Sequence, residues 1–114
     1  MHNPEMVSPQ ALRRRSLAMH RLVVEKIRRN PELFEVARAT LTRWRTIVCQ
    51  SSQPYLIEWE SRMADRDACL AFAVEDSAHA SDMRQSSPFA VLLSNDERLD
   101  FLRAWARQFD IAHR

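Results

Sequence analysis

The sequence predicts an all-α fold, and three observations lead to that prediction. The 114 residues contain no glycine, the residue that most two-residue β-hairpins require. No stretch alternates apolar and polar residues with the period of two that is typical of a strand. Apolar residues recur instead at spacings of three and four, as they do on one face of a helix. We therefore expect a compact bundle of about five helices that begins with an antiparallel helical hairpin.

The chain is expected to form a single domain over residues 8–114, preceded by a flexible N-terminus over residues 1–7. Ser8-Pro9 predicts the first helix start, with serine as the N-cap and proline in the first turn. This helix should run to about Arg29. Asn30-Pro31 repeats the start signal, so a second helix should follow a short link and lie antiparallel to the first.

Short polar segments separate the remaining helices. Ser51–Pro54 is the clearest loop and the candidate hinge of the domain. Asp65 and the Ser94-x-x-Glu97 capping box predict two further helix starts, and Pro88 predicts a short helical turn. Whether the third and fourth helices are continuous is left open, because nothing between them forbids a helix. Without glycine, the helix C-termini are expected to end at Asn, at Ser or at the next cap.

Charge is distributed unevenly along the chain, whose formal net charge is +2. Residues 1–50 hold nine arginines and one lysine against four acidic residues, whereas residues 51–114 hold seven arginines against eleven acidic residues. A basic front half suits nucleic acid or an acidic partner. It suits equally well the acidic back half of the same chain.

A basic stripe on the first helix leads to the main functional expectation. Arg14, Arg21 and Arg28 recur at seven-residue spacing and span about 20 Å along the helix. Leu17 and Val24 are predicted to lie beside them, and an apolar surface rimmed by arginine is typical of a protein interface. We therefore expect a non-catalytic module that binds a protein partner or a second copy of itself. Its predicted contact residues are Arg14, Leu17, Arg21, Val24, Arg28 and Phe89.

Phe89 follows an unusual Ser-Ser-Pro segment. It is interpreted either as an anchor for the partner or as an aromatic residue that closes the end of the bundle.

Nucleic-acid binding by the same basic face is the first alternative. The arginines that would contact phosphates are Arg13, Arg14, Arg15, Arg21, Arg28 and Arg29. No helix-turn-helix signature and no aromatic platform accompany them in the sequence.

A metal-binding helical protein is the second alternative. Glu75, His79 and Asp82 have spacings of four and three, which would place them on one helical face. Histidine with carboxylates suits Zn²⁺ or Fe²⁺. The sequence has no second copy of this pattern, which di-metal helical sites use, and a solvated polar face is the competing interpretation.

No catalytic residue and no cofactor is predicted. His20 is interpreted as a histidine at the edge of the core, because no nucleophile or carboxylate pair is linked to it by spacing. Cys49 and Cys69 are expected to be small buried hydrophobic residues, with one disulfide between them left open. The longest purely apolar run is Ala90–Leu93, far short of the ~20 residues that span a membrane. The N-terminus lacks a signal pattern, and we expect a cytoplasmic protein without membrane contact.

Two stretches carry a resemblance to a known group of proteins. They are Arg15–Arg21 and Arg84–Ala90, the second followed by Leu93-Ser94 and Glu97-Arg98, with the surroundings of Trp44 and Trp59 between them. Over about residues 8–108 the chain resembles small uncharacterised helical proteins of bacteria. Those proteins look like companions of Xre-type helix-turn-helix proteins in toxin–antitoxin-like or regulatory gene pairs. The resemblance implies a regulatory interaction partner and implies no site residue.

Overall fold

The structure, a computed structural model, describes residues 8–112 and the side chains of residues 8–108. This part of the chain contains six α-helices and no strand, which confirms the all-α class. The helices are α1 (Pro9–Arg29), α2 (Leu33–Ile47), α3 (Gln53–Arg62), α4 (Arg66–Ala73), α5 (Ala78–Arg84) and α6 (Asn95–Ala112). Short 3₁₀ turns over Gln50–Ser52 and Ala90–Leu92 lie before α3 and α6. Within residues 8–112, every helix is too short or too polar to span a lipid bilayer.

Most helix starts follow the predicted capping chemistry. The side chains of Ser8 and Asp65 each accept a hydrogen bond from the backbone N–H three residues later. Ser94 and Glu97 form the reciprocal capping box, with distances of 3.1 Å to the serine hydroxyl and 2.8 Å to the glutamate. Ser77 caps α5 in the same way. Each bond satisfies an N–H that the helix leaves unpaired.

The link between α1 and α2 differs from the prediction. Asn30 does not cap α2. It ends α1, where its backbone N–H donates to the carbonyl of Lys26 at 2.9 Å. The chain then turns through Pro31 and Glu32, and α2 begins at Leu33.

The segment expected to be a hinge is partly helical, because Gln53 and Pro54 belong to the first turn of α3. Proline is tolerated there since the first helical N–H groups have no partner in the helix. The helices α3 and α4 are separate. The first ends at Arg62, and Asp65 starts the second.

The most extensive helix contacts join α2 to α3 and α1 to α5. The structure therefore does not confirm an antiparallel pairing of α1 with α2.

Aromatic residues fill the centre of the core. The ring of Phe89 lies 6.1 Å from that of Phe34 and 5.5 Å from that of Trp59. The indole N–H of Trp59 donates to the carbonyl of Met83 at 2.9 Å, which satisfies both buried groups.

Three helical segments end on basic side chains supplied by other elements. No residue in the described range has a positive φ, so the left-handed cap that glycine usually provides is absent there. Arg38 donates to the carbonyl of the C-cap residue of α3 at 3.2 Å. Arg84 donates to the last carbonyl of α4 at 3.2 Å and to that of Glu75 at 2.8 Å. Lys26 donates to the carbonyl of Leu92 at 2.9 Å.

Candidate functional site

Arg14, Arg21 and Arg28 lie exposed along α1 and are called the arginine stripe below. None of the three forms an ion pair with any described residue. Two other cations of the same helix are neutralised, since Arg13 pairs with Asp82 at 2.9 Å and Lys26 pairs with Glu97 at 2.5 Å. The described acidic residues of the back half therefore pair with part of the basic front half and leave the stripe unpaired.

The apolar part of the predicted partner surface is core. Leu17 is 8% exposed and Val24 is 4% exposed, because α1 packs against both α4 and α5 and its wide apolar sector is covered on two sides. Phe89 is fully buried between Phe34 and Trp59, so it closes the bundle instead of projecting toward a partner. Of the predicted contact residues, the arginine stripe alone is on the surface.

The six arginines of the nucleic-acid hypothesis do not act as one face. Arg13 donates to the hydroxyl of Ser81 and to Asp82, both at 2.9 Å. Arg15 is half-buried, and Arg29 is exposed beside the stripe. Glu25 is also exposed and lies four residues after Arg21 and three before Arg28, which places its carboxylate within the stripe.

The three candidate metal ligands do not converge. Glu75 lies before the start of α5, so the helical spacing that would align it with the other two does not apply. The imidazole of His79 donates to Glu58 at 2.6 Å, and Asp82 accepts from Arg13. The described residues include no cluster of three His, Cys, Asp or Glu side chains suited to a metal ion.

An open cleft of about 550 Å³ lies between α3, α4 and α5. On its wall Glu58 accepts two hydrogen bonds, from Arg62 Nε at 2.9 Å and from His79 Nε2 at 2.6 Å. Burial alone would raise the pKa of Glu58, but these two bonds outweigh burial and lower that pKa. The guanidinium carbon of Arg62 lies 3.4 Å from the ring centroid of Phe72, which fixes its orientation. Sequence reasoning missed this network because Glu58 and His79 are distant along the chain.

The cleft residues satisfy one another. Cys69 lies at the cleft but is 1% exposed, and burial raises the pKa of its thiol to about 11, so it is a neutral thiol near pH 7. The Glu58 carboxylate accepts from both the Arg62 guanidinium and the His79 imidazole, and the bond from His79 links α3 to α5. We interpret the network on the wall of the cleft as a structural connection between these helices.

A second exposed surface lies on α6. Its first turns are held to the rest of the bundle, called the body below, by Glu97, which pairs with Lys26, and by Phe101, which packs against the core. Leu99 is 47% exposed, and Leu102 and Trp105 are half-buried. The sequence predicts this helix and its cap correctly but gives no sign that part of its apolar stripe lies outside the core.

Comparison of the chain with protein-family models, with curated proteins and with solved structures gives no match. The geometry of the surface residues therefore carries the functional argument.

Proposed function

We propose that this protein is a non-catalytic protein–protein interaction module of a bacterial regulatory or antitoxin-like pair. Its partner has an acidic surface, and the arginine stripe binds it. The observation that supports the proposal is that the stripe has no ion-pair partner among the described residues, whereas Arg13 and Lys26 on the same helix do. The resemblance of the chain to companions of helix-turn-helix regulators agrees with it.

A protein fits the stripe better than a nucleic acid does because of Glu25. A phosphate backbone is uniformly negative, and a carboxylate inside the contact surface repels it. A protein surface carries both signs, so Glu25 can face a basic residue of the partner while the arginines face acidic ones. Arginine is also among the residues that dominate protein interfaces energetically.

The test compares two double charge reversals. Arg14→Glu/Arg21→Glu changes the stripe, and Arg43→Glu/Arg66→Glu changes two exposed arginines elsewhere. Proteins retained by the tagged wild-type chain from the source cells are identified and purified, and their affinities are measured by calorimetry. We expect the stripe variant to lose at least tenfold in affinity and the control to keep wild-type affinity. Equal affinity of both variants would rule out the stripe as the binding surface.

Nucleic-acid binding is the second candidate, because Arg29 extends the three uncovered arginines of the stripe. Three or four phosphate contacts predict that the logarithm of affinity falls with the logarithm of salt concentration with a slope of about −3. Fluorescence anisotropy with a labelled duplex and a labelled single strand measures this slope. Absence of binding to both at low salt eliminates this candidate.

A further inference from the structure

We propose that two copies of this protein associate through α6, with the two helices antiparallel about a two-fold axis beside the Phe101–Leu102 peptide. The contact buries the exposed side of α6, which we define by Leu99 and Leu102. This surface is distinct from the arginine stripe, so the inference stands apart from the proposed function. Three features of α6 support it.

The first feature is the orientation of the apolar residues. Glu97 and Phe101 are four residues apart, so both lie on the side of α6 that faces the body. Leu99 is two residues from each and therefore points to the opposite side of the helix, where it is 47% exposed. Leu102 is three residues further along and half-buried. The two leucines form a short apolar strip that the described part of the bundle covers only in part.

The second feature is the order of charges beside that strip. Asp96 and Asp100 lie in the first half of α6, and Arg103 and Arg107 lie in the second half. All four are exposed, and their helical positions fall on the same flank of Leu99.

In an antiparallel pair, Asp96 faces Arg107 of the second copy, and Asp100 faces Arg103. The two-fold axis repeats both pairs, which gives four complementary contacts. In a parallel pair the two-fold axis would put this flank of each helix on opposite sides of the contact, so the charges of the two copies would not meet.

The third feature is that the charged residues of this flank form only a weak ion pair within one chain. Arg103 Nη1 lies 3.9 Å from Asp100 Oδ1 of the same helix, and the two side chains are 70% and 80% exposed. Exposed pairs of this kind contribute little to stability. Both side chains can therefore turn to a second copy at small cost. A helix whose charges complement their own reversed order suits a second copy, since an unrelated partner would require no such symmetry.

The interface is small, since each copy contributes one helix. Interfaces at the low end of the size range are typically weak, and we expect a dissociation constant on the order of 10 μM. Sedimentation equilibrium over about 1–500 μM covers this range. The wild-type chain is expected to change from monomer to dimer within it. A wild-type chain that remains a monomer throughout would overturn the proposal.

Matched variants test the apolar contact. Leu99→Gln is expected to weaken association at least tenfold. Leu12→Gln changes a leucine that is 42% exposed on α1, and it should leave association unchanged. Equal effects of the two variants would contradict the α6 interface.

Charge reversal tests the antiparallel order. Asp96→Arg/Asp100→Arg and Arg103→Asp/Arg107→Asp should each be monomeric, because each places like charges opposite each other. An equimolar mixture of the two should associate again, which a folding defect in either variant would not produce. Failure of the mixture to associate, with both variants helical by circular dichroism, would exclude the antiparallel arrangement. If either variant loses helicity, the Leu99→Gln comparison decides the proposal.

Discussion

Lys26 Nζ lies 2.5 Å from Glu97 Oε1, and this ion pair joins the basic front half of the chain to its acidic back half. The same carboxylate oxygen accepts the backbone N–H of Ser94 and completes the capping box of α6. Lys26 also donates to the carbonyl of Leu92, just before α6 begins. One pair of side chains therefore both starts the last helix and attaches it to the first.

This arrangement predicts acid sensitivity of the attachment of α6. The hydrogen bond from Lys26, together with that from Ser94, lowers the pKa of Glu97 from 4.5 to about 2. A carboxylate whose pKa is lower in the folded state stabilises that state fully above pH 4.5, and this stabilisation is lost as the pH falls toward 2. Denaturant unfolding between these pH values should show the loss, and Glu97→Gln should remove it. Glu60→Gln, at an exposed glutamate of α3, should retain the wild-type slope.

Burial of His20 predicts a second, separate pH window. Burial lowers the pKa of His20 from 6.5 to about 4, with a further small effect of Arg84. Its Nδ1–H donates to the carbonyl of Ser16 at 2.7 Å. This bond raises the pKa but offsets burial only in part, so the buried ring is neutral near pH 7. As the pH is lowered from 6.5 to 4, the unfolded chain takes up a proton on His20 and the folded chain does not. The free energy of unfolding therefore decreases as the pH is lowered across that window.

The expected loss is about 3 kcal/mol of unfolding free energy, from 1.36 kcal/mol per pKa unit. Urea unfolding at several pH values measures it. His20→Leu should flatten the dependence above pH 4. A His20→Leu chain with unchanged pH dependence would contradict the assignment.

Arg84 is expected to be the arginine whose loss costs most stability. It is 5% exposed, and burial lowers the pKa of its guanidinium, while its Nη1 holds the last carbonyl of α4 and that of Glu75. Arg84→Met leaves both carbonyls without this donor and should cost about 2–3 kcal/mol of unfolding free energy.

Two further variants test whether the guanidinium is required. Arg84→Lys should also be destabilised, because an ammonium on a different stem does not reproduce the donor geometry. Arg43→Met, at an exposed arginine of α2, should change the unfolding free energy by less than about 0.5 kcal/mol. A similar small change in Arg84→Met would show that the two carbonyls do not depend on Arg84.

The two cysteines should react at very different rates. Both are free thiols, and Cys49 is exposed, contrary to the expectation that it is buried. Hydrogen bonds with Ser51 and then Ser52 lower the pKa of Cys49, whereas burial raises that of Cys69 to about 11. A disulfide reagent such as DTNB should therefore modify one thiol of the native chain quickly and the second after unfolding. Cys49→Ser should abolish the fast phase, and two fast equivalents in the wild type would refute the prediction.

The sequence predicts helix caps, which depend on residues close together in the chain. It misses helix ends that depend on side chains distant in the chain. Ser8 and Ser94 cap helices by reaching three residues ahead, so their role is visible in a short window. The end of α4 depends on Arg84, eleven residues beyond its last carbonyl, and no local pattern indicates this.

The same limit explains the site predictions. The helical wheel places Leu17 and Val24 beside the arginine stripe, but it cannot show that α4 and α5 cover them. Glu58 and His79 are 21 residues apart, so their hydrogen bond has no signature in the sequence. The alignment of the stripe was predictable, because a seven-residue spacing puts the three arginines on one face of α1 whatever packs against the rest of that helix.

The basic side chains at the helix ends have a consequence for how this chain can be divided. The ending of α3 depends on a residue of α2, and that of the turn over Ala90–Leu92 depends on a residue of α1. A fragment that separates such a residue from the carbonyl it serves loses the ending as well as the contact. Excised peptides should therefore fray at their C-termini even where their N-caps are intact. A helix transplanted into another scaffold would keep the side chain that caps its N-terminus. It would lose the basic side chain of another element that hydrogen-bonds to the carbonyl at its C-terminal end.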